Sequence, residues 1–342
     1  MDPHPSSPNE ATRMTRTGAN RLKIQQAFAA ALFVLSLCST PSSGAEKPLI
    51  RTRLKVAFNQ SNFVSVNRND AEAAFKVFVE TAGKKRGYAV QSEMEVFNTA
   101  AEFAKGIVEK RVQLAIIDCW DYLSFDLRGV MEPAFVFVEP GGALESYVLV
   151  TGREKGAQSL QELRGQDIVL LENANANLSR LWLETMLLER NLGGAADFFK
   201  KTETVAKASA AVLPVFFGQR AACIVDQSAF DLMNELNPQV GKRLQAIQTS
   251  APFLDTILCL SIDGWPTELE RKDLIDILAE LHQGPEGLQL LTVFKVSKLE
   301  PFKAEHLTTV RELKAAHDRF MKTLEKNAAP ARAGRNENGI TR

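Results

Sequence analysis

Asn173, Asn175 and Asn177 alternate with alanines in a turn that follows a short apolar run, Asp167–Leu171, and opens a helical pattern, Leu178–Arg190. Backbone N–H groups at a helix start have no partner inside the helix. They carry the positive end of its dipole, so this spacing suits the capture of an anion, with Ala176 contributing only its backbone. The amide side chains suit a neutral or zwitterionic ligand instead. A reading without any ligand is equally physical: one Asn caps the helix and the others fit the turn.

Three more polar clusters follow apolar runs. Asn59, Ser61 and Asn62 come after Leu54–Phe58; Asp118 through Tyr122, with Trp120 between them, come after Leu114–Ile117; Asp226 comes after Ala222–Val225. In open α/β sheets ligands bind outside the carboxyl ends of the strands, which is where all four clusters fall. Asn59, Ser61 and Asn62 suit a cleft floor or a plain loop. Trp120 suits the lid of a cleft or packing between helix and sheet, and Tyr122 adds a hydroxyl. Asp226 also suits the cap of the helix that follows it.

Signals for catalysis are weak. Beyond residue 45 the chain holds His282, His306 and His317, all in helical patterns near its end. There is no His-Glu-x-x-His, Cys-x-x-Cys, Gly-x-Ser-x-Gly or glycine-rich phosphate loop. The expectation from these residues is no enzymatic centre, no metal and no cofactor.

Elements that position these clusters alternate between strand and helix. Strands are expected at Leu54–Phe58, Tyr88–Phe97, Leu114–Ile117, Ala134–Val138, Tyr147–Thr151, Asp167–Leu171, Lys201–Val205, Ala222–Val225, Leu244–Thr249 and Ile257–Ile262. Helices are expected at Ala71–Lys85, Ala100–Lys110, Leu178–Arg190, Ala208–Phe217, Gln227–Leu236, Glu268–His282, Glu286–Thr292 and Ala304–Glu325. Such alternation implies α/β layers, and two sets of this size imply two lobes.

The first 45 residues read as an export signal. Arg13, Arg16, Arg21 and Lys23 precede an apolar run, Ala27–Cys38, too short to span a bilayer, and Ser43-Gly44-Ala45 offers small residues for cleavage. Removing them takes four basic and two acidic residues, moving the net charge from 0 to −2. Nothing in that balance suggests nucleic acid or an anionic membrane surface. Cys119, Cys223 and Cys259 sit in apolar contexts and read as buried free thiols.

The order of elements behind an export signal resembles a type II periplasmic binding protein of the phosphate/phosphite/phosphonate branch of ABC-transporter substrate-binding proteins. Val112-Gln-Leu-Ala-Ile-Ile-Asp-Cys-Trp-Asp-Tyr122 resembles the family's strand and ligand-facing Tyr loop. Tyr147-Val-Leu-Val150 resembles its first crossing strand, and Ser159-Leu-Gln-Glu-Leu-Arg-Gly165 its entry into the second lobe. Leu192-Gly193 and Phe198-Phe199 are similar to a further segment. The family's Ser-x-Ser-Gly helix start is replaced by Asn175-Ala176-Asn177-Leu178.

The resemblance implies an α/β, two-lobed fold with a central cleft and a two-strand hinge near Leu144–Val150 and Phe253–Ile262. Its expected parts are a signal peptide (1–45), one lobe (46–148, resumed with C-terminal helices at 253–325), a second lobe (149–252) and a disordered tail (326–342). The implied function is capture of a small, phosphonate-like anionic ligand for a membrane permease in the periplasm, by a monomer. The implied ligand residues are Asn59, Ser61, Asn62, Trp120, Tyr122, Asn173, Asn175, Ala176, Asn177 and Asp226; relatives often read an amine or hydroxyl at the last position. Alternatives are a ligand-sensing subunit for a sensor kinase, or a lyase or deaminase on the same fold.

Overall fold

The computed structural model describes residues 48–63, 66–109, 112–171 and 177–336. The candidate export signal and Asn173, Asn175 and Ala176 lie outside the described residues. The first sheet begins with β1 (Ile50–Asn59), β2 (Tyr88–Phe97), β3 (Leu114–Asp118) and β4 (Met131–Val138). The chain then builds a second sheet from β5 (Tyr147–Gly152), β6 (Asp167–Leu171), β7 (Lys201–Val205), β8 (Ala222–Asp226) and β9 (Leu244–Thr249). It returns to the first with β10 (Thr256–Ser261) and β11 (Lys298–Pro301). The strand orders are β11-β4-β10-β3-β1-β2 and β7-β6-β8-β5-β9.

The strand pattern follows from where each face goes. Tyr147 and Leu149 on β5 point into one core and Val148 and Val150 into another, so all four are buried. The same alternation splits β10, where Ile257 and Cys259 face one side and Leu258 and Leu260 the other. One core backs both sheets. Each sheet's other face has a core of its own.

Helices cover these faces. They are α1 (Arg68–Lys85), α2 (Ala100–Val108), α3 (Cys119–Ser124), α4 (Asn177–Glu189) and α5 (Ala195–Phe198). There follow α6 (Ala208–Phe216), α7 (Gln227–Leu236), α8 (Pro238–Arg243), α9 (Glu268–Ala279), α10 (Pro285–Val293) and α11 (Thr308–Asn336). Helix α1 buries Ala71, Ala74, Phe75, Phe78 and Val79, one stripe at helical spacing. Its start is capped by Asn67, whose Oδ1 accepts from Asn69 N at 2.9 Å.

Two local differences from what the sequence predicts have physical causes. Pro238 does not only stop a helix; it opens α8 at the first-turn position, where its missing N–H costs nothing, behind an Asn237 cap. Strand β11 is a four-residue edge strand with two charged residues and a Pro, too short and polar to show periodicity.

Two segments cross between the sheets. They are tied by Glu145 N to Phe253 O at 2.9 Å and Phe253 N to Glu145 O at 2.8 Å. Beyond the first crossing, β5 ends at Gly152, which packs against Gly156. A Cβ at Gly156 would lie 2.3 Å from the Gly152 carbonyl oxygen and 2.5 Å from its nitrogen, both backbone atoms that cannot swing aside. Gly156→Ala is therefore expected to lower stability by about 1–3 kcal/mol, the usual cost of overpacking. Urea unfolding checks this, and an unchanged midpoint would show that the turn relaxes freely.

Candidate ligand-binding site

A cavity of about 410 Å³ is lined by residues of both sheets and of the helices on them, within the size range of small-molecule sites. The first sheet and its helices supply Val56, Phe58, Asn62, Ile116, Phe137 and Phe294; the second supplies Leu171, Ala208, Asp226 and Ala229. A smaller cavity of about 110 Å³ shares Phe137, Glu139, Asp226 and Thr256 with it and is completed by the 141–145 turn, Ser228, Leu254 and Asp255. A third, of about 390 Å³, is lined by Asn59, Gln60, Ser61, Phe63, Asn98, Ala100 and Asp121.

The structure separates the residues singled out from sequence. Asn62 lines the main cavity, and its Oδ1 accepts from Asn59 N at 2.9 Å, which fixes the turn after β1. Asn59 and Ser61 line the third cavity, and Ser61 Oγ is buried without a hydrogen-bond partner. Asp226 lines both the main and the smaller cavity; it stands at the cap position of α7 but makes no side-chain cap bond there. Asn177 is the first residue of α4, and Leu178 beside it is buried in the shared core.

Trp120 and Tyr122 line none of the three cavities. The chain after Asp118 forms the helical turn α3 instead of the expected loop, and this aims both rings at the interior. Trp120 meets His317 edge-on at 5.3 Å, with Lys314 Nζ 5.1 Å from its ring centre. The Tyr122 hydroxyl donates to the Met131 carbonyl at 3.4 Å.

Three carboxyls absent from the expected ligand residues line these cavities, Glu139, Glu145 and Asp255, whereas Asp118 lines none of them. Asp118 ends β3, so the strand-end rule that found Asp226 reaches it; Asp255 precedes β10 and comes to the same edge because β10 runs antiparallel to β3, with Thr256 opposite Asp118. Glu139 and Glu145 flank the Gly141-Gly142 turn, a signal that reads only as a break between strands. Burial pushes Asp118 up to about 7, with the charge of Asp121 adding and a hydrogen bond from Thr256 opposing. Burial carries Asp121 to about 6. Asp255 is held well above the usual carboxyl range, first by burial and then by Asp226, Asp118 and Glu139. The Tyr147 hydroxyl donates to its Oδ1 at 2.7 Å and opposes that rise. Glu139 is raised by burial and by Glu145. Glu145 accepts from Ser228 Oγ at 2.5 Å and from Ser146 N at 3.0 Å. Among the described residues none of Asp118, Asp121, Glu139, Glu145 and Asp255 has an ion-pair partner.

Among the described residues no group of three or more His, Cys, Asp or Glu could hold a metal ion. Cys119, Cys223 and Cys259 are free and buried, which raises their thiol pKa values and makes them poor nucleophiles. No described helix is long and apolar enough to cross a membrane.

Solved structures share this architecture. A Xanthomonas citri protein bound to chloride ion matches with a TM-score of 0.60 and 14% identity, over 79% of this chain and 99% of that one. A binding-protein component of a Pseudomonas aeruginosa ABC phosphonate transporter matches at 0.53 and 14%, over 84% and 99%. A Prochlorococcus marinus protein in complex with methylphosphonate matches at 0.50 and 15%, over 76% and 96%. At these identities the likeness shows the fold: two lobes of the periplasmic-binding-protein type. No protein of the curated set matches the chain in sequence. The family pattern described as "ABC transporter, phosphonate, periplasmic substrate-binding protein" matches residues 63–307, most of the chain. The chain therefore belongs to the phosphonate-type periplasmic substrate-binding proteins of ABC transporters.

Proposed function

We propose that this chain captures a small solute between its two lobes and delivers it to the membrane permease of an ABC transporter. It acts in the periplasm, after cleavage of an export signal near Ala45, as a monomer without catalytic activity. One lobe comprises residues 46–148 and 253–325, and the other 149–252. The observation that carries the reading is the main cavity, lined by both sheets, with the smaller cavity that adjoins it reaching Glu145 at the crossing. A solute that touches both walls favours the closed arrangement over the open one by its differential contacts, and closure is the signal a permease can read.

The test combines thermal unfolding with small-angle scattering on the mature protein against a mixed solute library. A true ligand at a hundredfold excess over its Kd is expected to add about 2.7 kcal/mol of stability and to shrink the radius of gyration. Loss of uptake of that solute in a strain lacking the gene completes the test. A ligand that is chemically converted, or a library in which no member closes the lobes, would overturn the proposal.

A further inference from the structure

We infer that the solute carries a positively charged nitrogen beside an apolar body, and is not a bare oxyanion. This rests on the binding-protein reading above and names the solute class of that same cavity.

The walls set the apolar half. Phe58, Phe75, Phe137 and Phe294 line the main cavity from the first sheet and its helices, and Leu171 and Ala229 from the second. A small hydrated oxyanion has nothing to gain from such walls. A hydrocarbon or aromatic body gains by leaving water, and a cation beside it gains further over the aromatic faces.

The acidic groups set the charge. Glu139 and Asp226 line both adjoining cavities, and Glu145 and Asp255 line the smaller one. Lys295, at the exposed edge, is the one basic residue among the described residues that line the two cavities. An anion entering here meets like charge in a poorly hydrated space, where repulsion is least screened. Asp118 lines neither cavity and stands behind their shared wall. It is 8% exposed, and Thr256, a residue of both cavity walls, bonds its carboxyl; yet its Oδ1 has no hydrogen-bond partner. A buried polar atom in that state is the exception in native structures and asks for a donor. The charges of Asp226, Asp118 and Glu139 add to the elevation of Asp255, and Glu145 adds to that of Glu139, which Lys295 partly opposes.

The test uses three probes with one body and three heads: 2-phenylethylammonium, 2-phenylethanol and 2-phenylethylphosphonate, titrated calorimetrically into the wild-type protein. The ammonium is expected to bind at least tenfold more tightly than the alcohol, and the phosphonate most weakly. In the double variant Glu139→Gln, Asp226→Asn the ammonium-to-alcohol ratio is expected to fall towards one and the phosphonate to gain. Should that variant fail to fold, the wild-type order decides alone. Equal affinity for ammonium and alcohol, tightest binding of the phosphonate, or binding of none of the three would overturn the inference. A phosphonate that binds and closes the lobes would do so while leaving the binding-protein reading intact. That reading falls only when no solute of the library closes them.

Discussion

Asp118→Asn is expected to leave stability at pH 4 nearly unchanged and to raise it at pH 8 by a few kcal/mol. Asp118 is buried and its pKa is pushed from an ordinary 3.8 to about 7, chiefly by burial. A pKa raised on folding contributes stability that is full below the unfolded value and is lost as pH rises through the folded value. The window here runs from about pH 4 to pH 7. A shift of that size corresponds to roughly 4 kcal/mol, an upper figure because local relaxation softens it. Asn keeps an oxygen that can accept from Thr256 and removes the charge. Asp121 and Asp255 are displaced in the same direction and reinforce the trend in the wild-type protein. Urea unfolding at pH 4, 5.5, 7 and 8 reads the effect. A variant less stable than wild type at pH 8 would mean that the ionised carboxyl is stabilised in the fold, against the argument.

Leu149→Ala is expected to cost about 2–5 kcal/mol, as large-to-small changes in closed cores do. Leu149 is fully buried at the middle of β5, between β8 and β9, and faces the core shared by both sheets. Leu236→Ala, at the end of α7, removes the same atoms from a side chain that is 78% exposed and should change stability by less than about 0.5 kcal/mol. Because the shared core includes residues from both lobes, a single unfolding transition is expected for both proteins. Two separated transitions in Leu149→Ala would show that the lobes unfold independently.

What the sequence discloses depends on the range of the forces involved. Burial of both faces of β5, β6 and β8 needs only a run of apolar residues, so these strands are visible in it. The stripe of α1 and the cap at Thr99 are local chemistry and equally legible, whereas the cap at Asn67 starts α1 three residues before the expected Ala71. The crossings show because Leu144–Val150 and Phe253–Ile262 bracket the middle set of elements. Asp226 is found by the strand-end rule, which Asp118 also obeys; Asp255 stands at the amino end of β10 and is brought to the same edge only by antiparallel pairing with β3. Trp120 is different. Its direction is set by a helical turn of six residues and by His317, nearly two hundred positions away, and nothing near Trp120 encodes that meeting. Glu139 and Glu145 look like solvated turn residues until the fold closes walls around them.

Helix α11 has a mechanical consequence. Its first turns bury Val310 and Leu313, with Leu307 before them, in the core that also holds Leu183, Met186 and Leu187 of α4. Thr309 Oγ1 donates to the Pro252 carbonyl at 2.6 Å, at the second crossing. The lobes are thus joined by two strands of chain and braced behind the cleft by a packed helix. Two strands alone form a loose joint; a third strut off their line stiffens it and narrows the arc through which the lobes travel. A stiff joint spends little rotational entropy on closing. Encounter then proceeds on a surface already shaped for the solute, and differences in affinity among related solutes show up mainly in residence time, through how fast each one leaves.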